Sequence, residues 1–198
     1  MKEEHKIGFT ILKNVLGIPY RLWYNHKVIG KENIPKEGAV IICANHKHMM
    51  DQCAILLSTR RMVHYMAKKE YFDGKMAWFF KMAGCIPVNR SIKDESAKKR
   101  ALDILDKKQV IGIFPEGTRN RTKDFLLPFK FGAVSMAIKT DAWIVPVGIT
   151  GDYKFRSKNL VTRIGKPFKV TDMSLEDAND KLKNEISKLM KMSLKEQK

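Results

Sequence analysis

Apolar and polar positions along the chain alternate between short apolar runs and longer amphipathic stretches. AVIICA (39–44) and VIGIF (110–114) are short apolar runs of the kind buried strands show, and WIVPVGIT (143–150) predicts another strand. VHYMAKK (63–69), IPVNR (86–90) and VTRIGKPFKV (161–170) predict further strands, the last with a Gly-Lys-Pro turn. Between them lie helical patterns. DQCAILLST begins on Asp51, KMAWFFKMAG closes on Gly84, and AVSMAIK follows the VIGIF run. ESAKKRALDILDKK (95–108) is amphipathic, with Ala101, Leu102 and Leu105 on its inward face. The tail from Met173 opens on Ser174-x-x-Asp177, a capping pattern, and carries Leu175, Leu182, Ile186 and Leu189 at helical spacing.

Strands alternating with helices predict an α/β architecture: a mixed sheet flanked by helices, preceded by an amphipathic helical segment. That segment, IGFTILKNVLGIPYRLWY (7–24), is interrupted by Lys13, Asn14 and Arg21, and Pro19 is expected to kink or end its helix. The expected organisation is an interfacial segment over 1–28, a catalytic domain over 29–172 and a C-terminal amphipathic helix over 173–198. Residues 7–24 suit either a helix packed on the domain or an interfacial anchor with an aromatic and basic rim. In KMAWFFKMAG, ordinary core is the plain reading.

Charge changes this picture more than length does. The 198 residues carry 38 Lys and Arg against 21 Asp and Glu, a net +17 that attracts polyanions: nucleic acid, an anionic bilayer or an acidic carrier. Cys43, Cys53 and Cys85 lie beside apolar residues without CxxC spacing, which argues against a disulfide framework or zinc ribbon. No uncharged apolar run reaches the roughly 18 residues a membrane span needs, and MKEEHK lacks the features of a secretory signal. The protein should therefore be soluble or peripheral, and the expected location is the cytoplasmic face of a membrane.

The stretch after AVIICA is NHKHMMD, with His46, His48 and Asp51 where ligands gather, beyond the carboxyl end of a strand. Five residues apart on a regular helix, two side chains diverge by about 140°. A histidine on the turn and an aspartate opening the helix meet instead. Asp51 then fixes the imidazole tautomer and leaves the other nitrogen as a base. Two plainer readings stand beside this one: Asp51 as a helix cap with His46 a loop residue, and a metal site of His46, His48 and Asp51. The remaining His5, His26 and His64 form no metal pattern.

FPEGTRNR (114–121) also follows an apolar strand. Glu116-Gly117 makes a tight turn that presents Thr118, Arg119 and Arg121, with Lys123 beyond, a set suited to phosphate. No GxSxG elbow is present, and no cysteine lies in an electropositive motif.

These residues resemble the glycerolipid acyltransferase family, in particular the enzymes that acylate lysophosphatidic acid. NHKHMMD is similar to the family's Asn-His-x4-Asp block, CIPVNR to its second block ending in Arg90, FPEGTR to its third and VPVGITG to its fourth, in order between Gly30 and Gly151. The chain departs from many members at position 48, a histidine where they carry serine. The resemblance implies His46 and Asp51 as the catalytic pair and Arg90, Glu116, Gly117, Thr118 and Arg119 as acceptor-binding residues. Arg119 with Arg90 would hold the phosphate, and Glu116 would contact the glycerol part. No cofactor is implied, since an acyl carrier protein or coenzyme A thioester is a co-substrate, and the partners are lysophosphatidic acid and an anionic membrane surface. Nucleic-acid binding is the competing use of the charge, but no binding module or aromatic-basic interleaving accompanies it.

Overall fold

The computed structural model describes residues 3–89, 91–92 and 94–197, without the side chains of 3–8 and Leu12. In chain order the elements are α1 (Glu3–Tyr24), β1 (Lys27–Ile29), β2 (Val40–Ala44), α2 (Asp51–Leu56), β3 (Val63–Lys68), α3 (Ala77–Met82), β4 (Ile86–Val88), α4 (Glu95–Asp106), β5 (Val110–Ile113), α5 (Gly132–Thr140), β6 (Trp143–Thr150), β7 (Val161–Ile164) and α6 (Leu175–Lys195). The seven strands form one sheet in the order β1-β7-β6-β2-β5-β3-β4, parallel throughout except for the antiparallel pair β6 and β7.

β2 lies between β5 and β6 and parallel to both, with Ile41 opposite Ile111 and Ile144. Both of its faces are covered, which is why AVIICA is apolar without interruption. Ile41 and Cys43 join a core with Ala101 and Leu105 of α4, Val134 of α5 and Leu182 and Ile186 of α6. Val40, Ile42 and Ala44 face the other way, onto Tyr20 of α1, Ala54 and Ile55 of α2 and Val147 and Ile149 of β6. At the start of α6, Ser174 Oγ accepts from the Asp177 amide at 3.0 Å, the cap its pattern predicts.

At three places the structure departs from the local reading or adds to it. α1 runs through Pro19 without ending. Proline removes the donor to the Val15 carbonyl, and Val15 and Pro19 both lie on the exposed side, where water can take that donor's place. β1 had no signature in the sequence, and the boundary expected at 28/29 falls inside it. α3, read as ordinary core, buries no residue, and Trp78 is 61% exposed.

α1 packs by one face. Phe9 and Tyr20 are buried, and Lys13 Nζ donates to the Thr59 carbonyl. A Cβ on Gly17 would come within 2.4 Å of Leu57 Cδ2, so α1 lies close to the end of α2 here and a larger residue would push the Leu57 side chain aside. The opposite face carries Ile11, Val15, Ile18 and Leu22, one turn apart and all exposed, with Trp23 beside them. Among the described residues no helix is long and apolar enough to cross a membrane.

Candidate active site

Parallel pairing of β2 with β5 and β6 brings the loops that leave their carboxyl ends to one edge of the sheet. There the two motifs meet. Asn45, buried, pins the start of the first loop with a two-point amide contact. Its Nδ2 donates to the Ile149 carbonyl at 3.0 Å and its Oδ1 accepts from the Ile149 amide at 2.7 Å.

His46 and Asp51 are in contact, with Nδ1 2.8 Å from Oδ2. Asp51 opens α2 and is fully buried, but its side chain does not cap that helix. It folds back over the preceding turn, where Oδ2 also accepts from the amides of Lys47 at 2.7 Å and His48 at 2.8 Å. An ionised carboxylate only accepts, so the imidazole proton sits on Nδ1 and Nε2 is left as a bare acceptor. The ring lies flat against Phe114, centroids 4.0 Å apart at 15°, which fixes its plane.

Glu116 is buried, and its two oxygens are turned to the main chain. Oε1 accepts from the His46 amide at 2.7 Å and Oε2 from the Leu127 amide at 2.9 Å. Burial pushes its carboxyl up, opposed by those two amides. With the Asn120 amide donating to the His46 carbonyl at 2.7 Å, Glu116 locks the two post-strand loops together. Each oxygen keeps a second lone pair, so the glycerol contact that the resemblance implies for Glu116 stands beside these bonds. Glu116 acts here on the shape of the site.

Gly117 takes a left-handed φ of 71° in the turn, and a Cβ there would lie 2.8 Å from Lys130 Cε. Gly117, Thr118 and Arg119 are exposed at the rim. Burial lowers the proton affinity of His48, opposed by the Asp51 charge and helped by that of Arg119. Arg90 lies outside the described residues. His48 stacks on Tyr153, centroids 4.3 Å apart at 19°, and its Nδ1 accepts from the Met50 amide at 3.3 Å. The three-ligand metal reading finds no support in these directions. Among the described residues no group of three His, Cys, Asp or Glu side chains is placed to hold a metal.

Sequence reasoning missed Tyr153, whose hydroxyl donates to Asp51 Oδ1 at 2.6 Å. It follows β6 directly, and the rule that placed the other two loops at this edge applies to it equally. Lys130, lying over Gly117, and Lys47, whose Nζ donates to the Gly151 carbonyl, were also passed over.

The model of the acyltransferase family matches residues 25–150, the stretch that holds the first three blocks and all of the fourth but Gly151. The 1-acyl-sn-glycerol-3-phosphate acyltransferase of Bacillus subtilis is 29% identical over 180 residues, 88% of this chain and 89% of that protein. The enzyme of the same name from Borreliella burgdorferi is 36% identical over 141 residues, 70% of this chain and 56% of that protein. Among solved structures, the 1-acyl-sn-glycerophosphate (LPA) acyltransferase of Thermotoga maritima superposes with a TM-score of 0.79, covering 97% of this chain and 83% of that one at 24% identity, a likeness of fold. A sheet of this topology, a histidine–aspartate pair after β2 and the FPEGTR turn after β5, inside a matched region that spans most of the chain, make this protein a member of the acyltransferase family.

Proposed function

We propose that the protein moves an acyl group from an acyl thioester to the free hydroxyl of lysophosphatidic acid, giving phosphatidic acid. The observation that carries this reading is the pairing of His46 with Asp51 at the edge where the Arg119 turn also lies. The relatives from Bacillus subtilis and Borreliella burgdorferi, named for this acceptor, support it.

His46 Nε2 takes the proton of the acceptor hydroxyl as that oxygen attacks the thioester carbonyl. The tetrahedral adduct collapses by breaking the carbon–sulfur bond, and the thiolate recovers the proton from the imidazolium. Asp51 stabilises the imidazolium in between. Arg119 holds the acceptor phosphate by its planar fork, with Arg90 as the second cation, while the Gly117 turn and Thr118 offer main-chain and hydroxyl donors. Holding the acceptor beside the base removes part of the entropy of encounter. Acyl carrier protein and coenzyme A both suit the +17 charge as donors, because both are anionic.

We further propose that the enzyme works as a peripheral protein on an anionic bilayer. The exposed stripe of Ile11, Val15, Ile18 and Leu22, with Trp23 and Arg21 at its end, supports this seat. The test of the acceptor and donor is direct. Purified protein is given lysophosphatidate with acyl-carrier-protein or acyl-coenzyme-A thioester in separate reactions, and products are identified by mass. Phosphatidate from either donor supports the reading, and acylation of another lysophospholipid alone replaces the acceptor.

A further inference from the structure

The loop that leaves β6 fastens the catalytic pair to α1. Tyr153 donates its hydroxyl to Asp51 Oδ1 at 2.6 Å and lays its ring on His48. The edge of the same ring meets Tyr24 at the end of α1, centroids 5.4 Å apart at 84°. Three residues on, the Arg156 amide donates to the Trp23 carbonyl, and Phe155 meets the Trp23 ring at 4.8 Å.

The two oxygens of Asp51 are served unequally. Oδ2 receives three N–H donors, including His46, whereas Tyr153 is the donor to Oδ1 among the described residues. A buried carboxylate oxygen stripped of its donor is costly, and the cheapest relief is rotation of the carboxylate to share the remaining donors. Rotation would carry Oδ2 away from His46 Nδ1. Burial, and then the Asp51 charge, push the Tyr153 phenol far up, so it stays a neutral donor.

We infer that Tyr153 is a positioning residue: its hydroxyl sets the plane of the Asp51 carboxylate toward His46, and its ring ties that setting to the seat of α1. This rests on the reading of His46 as the base. Tyr153 touches Asp51 and not the reacting atoms, so its effect falls on turnover and not on acceptor affinity.

The test uses the full chain with 15N-labelled histidine. The His46 Nδ1 proton, held against Asp51, should give a low-field resonance that exchanges slowly. Tyr153→Phe keeps the ring contacts and removes only the hydroxyl. It is expected to move that resonance upfield or broaden it, and to lower kcat about 10- to 100-fold, the scale of one hydrogen bond to a charged group, with the acceptor KM within about twofold. Incorporation of 3-fluorotyrosine at position 153 preserves shape with a more acidic hydroxyl and should move the resonance the other way, a readout that stands even if Tyr153→Phe folds poorly. Tyr24→Leu should move it in the same sense as Tyr153→Phe, by less. An unmoved resonance with turnover within twofold overturns the assignment. A rise in acceptor KM without loss of kcat overturns it too, by placing Tyr153 against substrate. A resonance unaffected by Tyr24→Leu overturns the tie to α1. If the wild-type chain makes no phosphatidate, the proposed function falls instead, since the resonance needs no substrate.

Discussion

Asp51→Asn isolates the charge of the proposed His46–Asp51 pair from its geometry. The carboxylate accepts four hydrogen bonds, three at Oδ2 and one from Tyr153 at Oδ1. An amide of the same shape can keep its oxygen toward the three N–H donors and turn its NH2 to Tyr153, whose hydroxyl can rotate to accept. The fold should therefore survive, with the thermal midpoint lowered by a few degrees. What is lost is the attraction between carboxylate and imidazolium. With Nδ1 2.8 Å from Oδ2, the charge centres stand about 4 Å apart, an interaction of about 4 kcal/mol at an effective dielectric constant near 20. Full loss in the transition state corresponds to about three decades in turnover. Thiol release from the thioester in the presence of lysophosphatidate measures this, with circular dichroism to certify folding. Turnover within tenfold of wild type in a folded variant would show that the imidazolium needs no counter-charge, and the base assignment would lose its physical ground.

Arg119→Ala is expected to raise the acceptor KM about 10- to 100-fold, the scale of a lost charge-assisted contact, and Arg119→Lys to recover only part. A changed thioester KM with an unchanged acceptor KM would move Arg119 to the donor side. Ile18→Glu places a charge in the exposed stripe of α1 and should reduce sedimentation with anionic liposomes at least tenfold, given the roughly 1.5–3 kcal/mol of burying such a side chain, without lowering the melting temperature. Equal sedimentation would place the membrane contact elsewhere. His26 is lowered to about 4 by burial and then by the Arg21 charge, and its Nε2 lies 2.8 Å from Thr162 Oγ1. The unfolded chain binds this proton first, so its effect on stability is nil above about pH 6.5 and grows as pH falls toward 4, to about 3 kcal/mol. Denaturant unfolding of wild type and His26→Gln between pH 7 and 4 reads the difference, and parallel pH profiles would contradict it.

Legibility followed distance along the chain. β2 and β5 were readable because burial on both faces leaves an unbroken apolar run, and the ends of those runs showed where His46 and Arg119 had to lie. His46 and Asp51 were readable because a turn of five residues suffices to join them. β1 was not, since three residues have no periodicity and its partner Val161 is far along the chain. α3 was misread because apolar composition does not tell a core helix from one whose every residue stays at least partly exposed. Pro19 does not end its helix, because the carbonyl it leaves without a donor lies on the exposed side. Glu116 was recognised as a motif residue, but only the fold shows its oxygens turned to two main-chain amides on different loops. Tyr153 reaches Asp51 across 102 positions, a contact no spacing encodes.

The measurement that bears most directly on the account compares wild type with His46→Ala in phosphatidate formation from lysophosphatidate and an acyl thioester, read by mass. The base assignment predicts phosphatidate from the wild-type chain and a fall in turnover of about two to four decades in the folded variant, with the acceptor KM little changed. Undiminished phosphatidate formation by His46→Ala would contradict it.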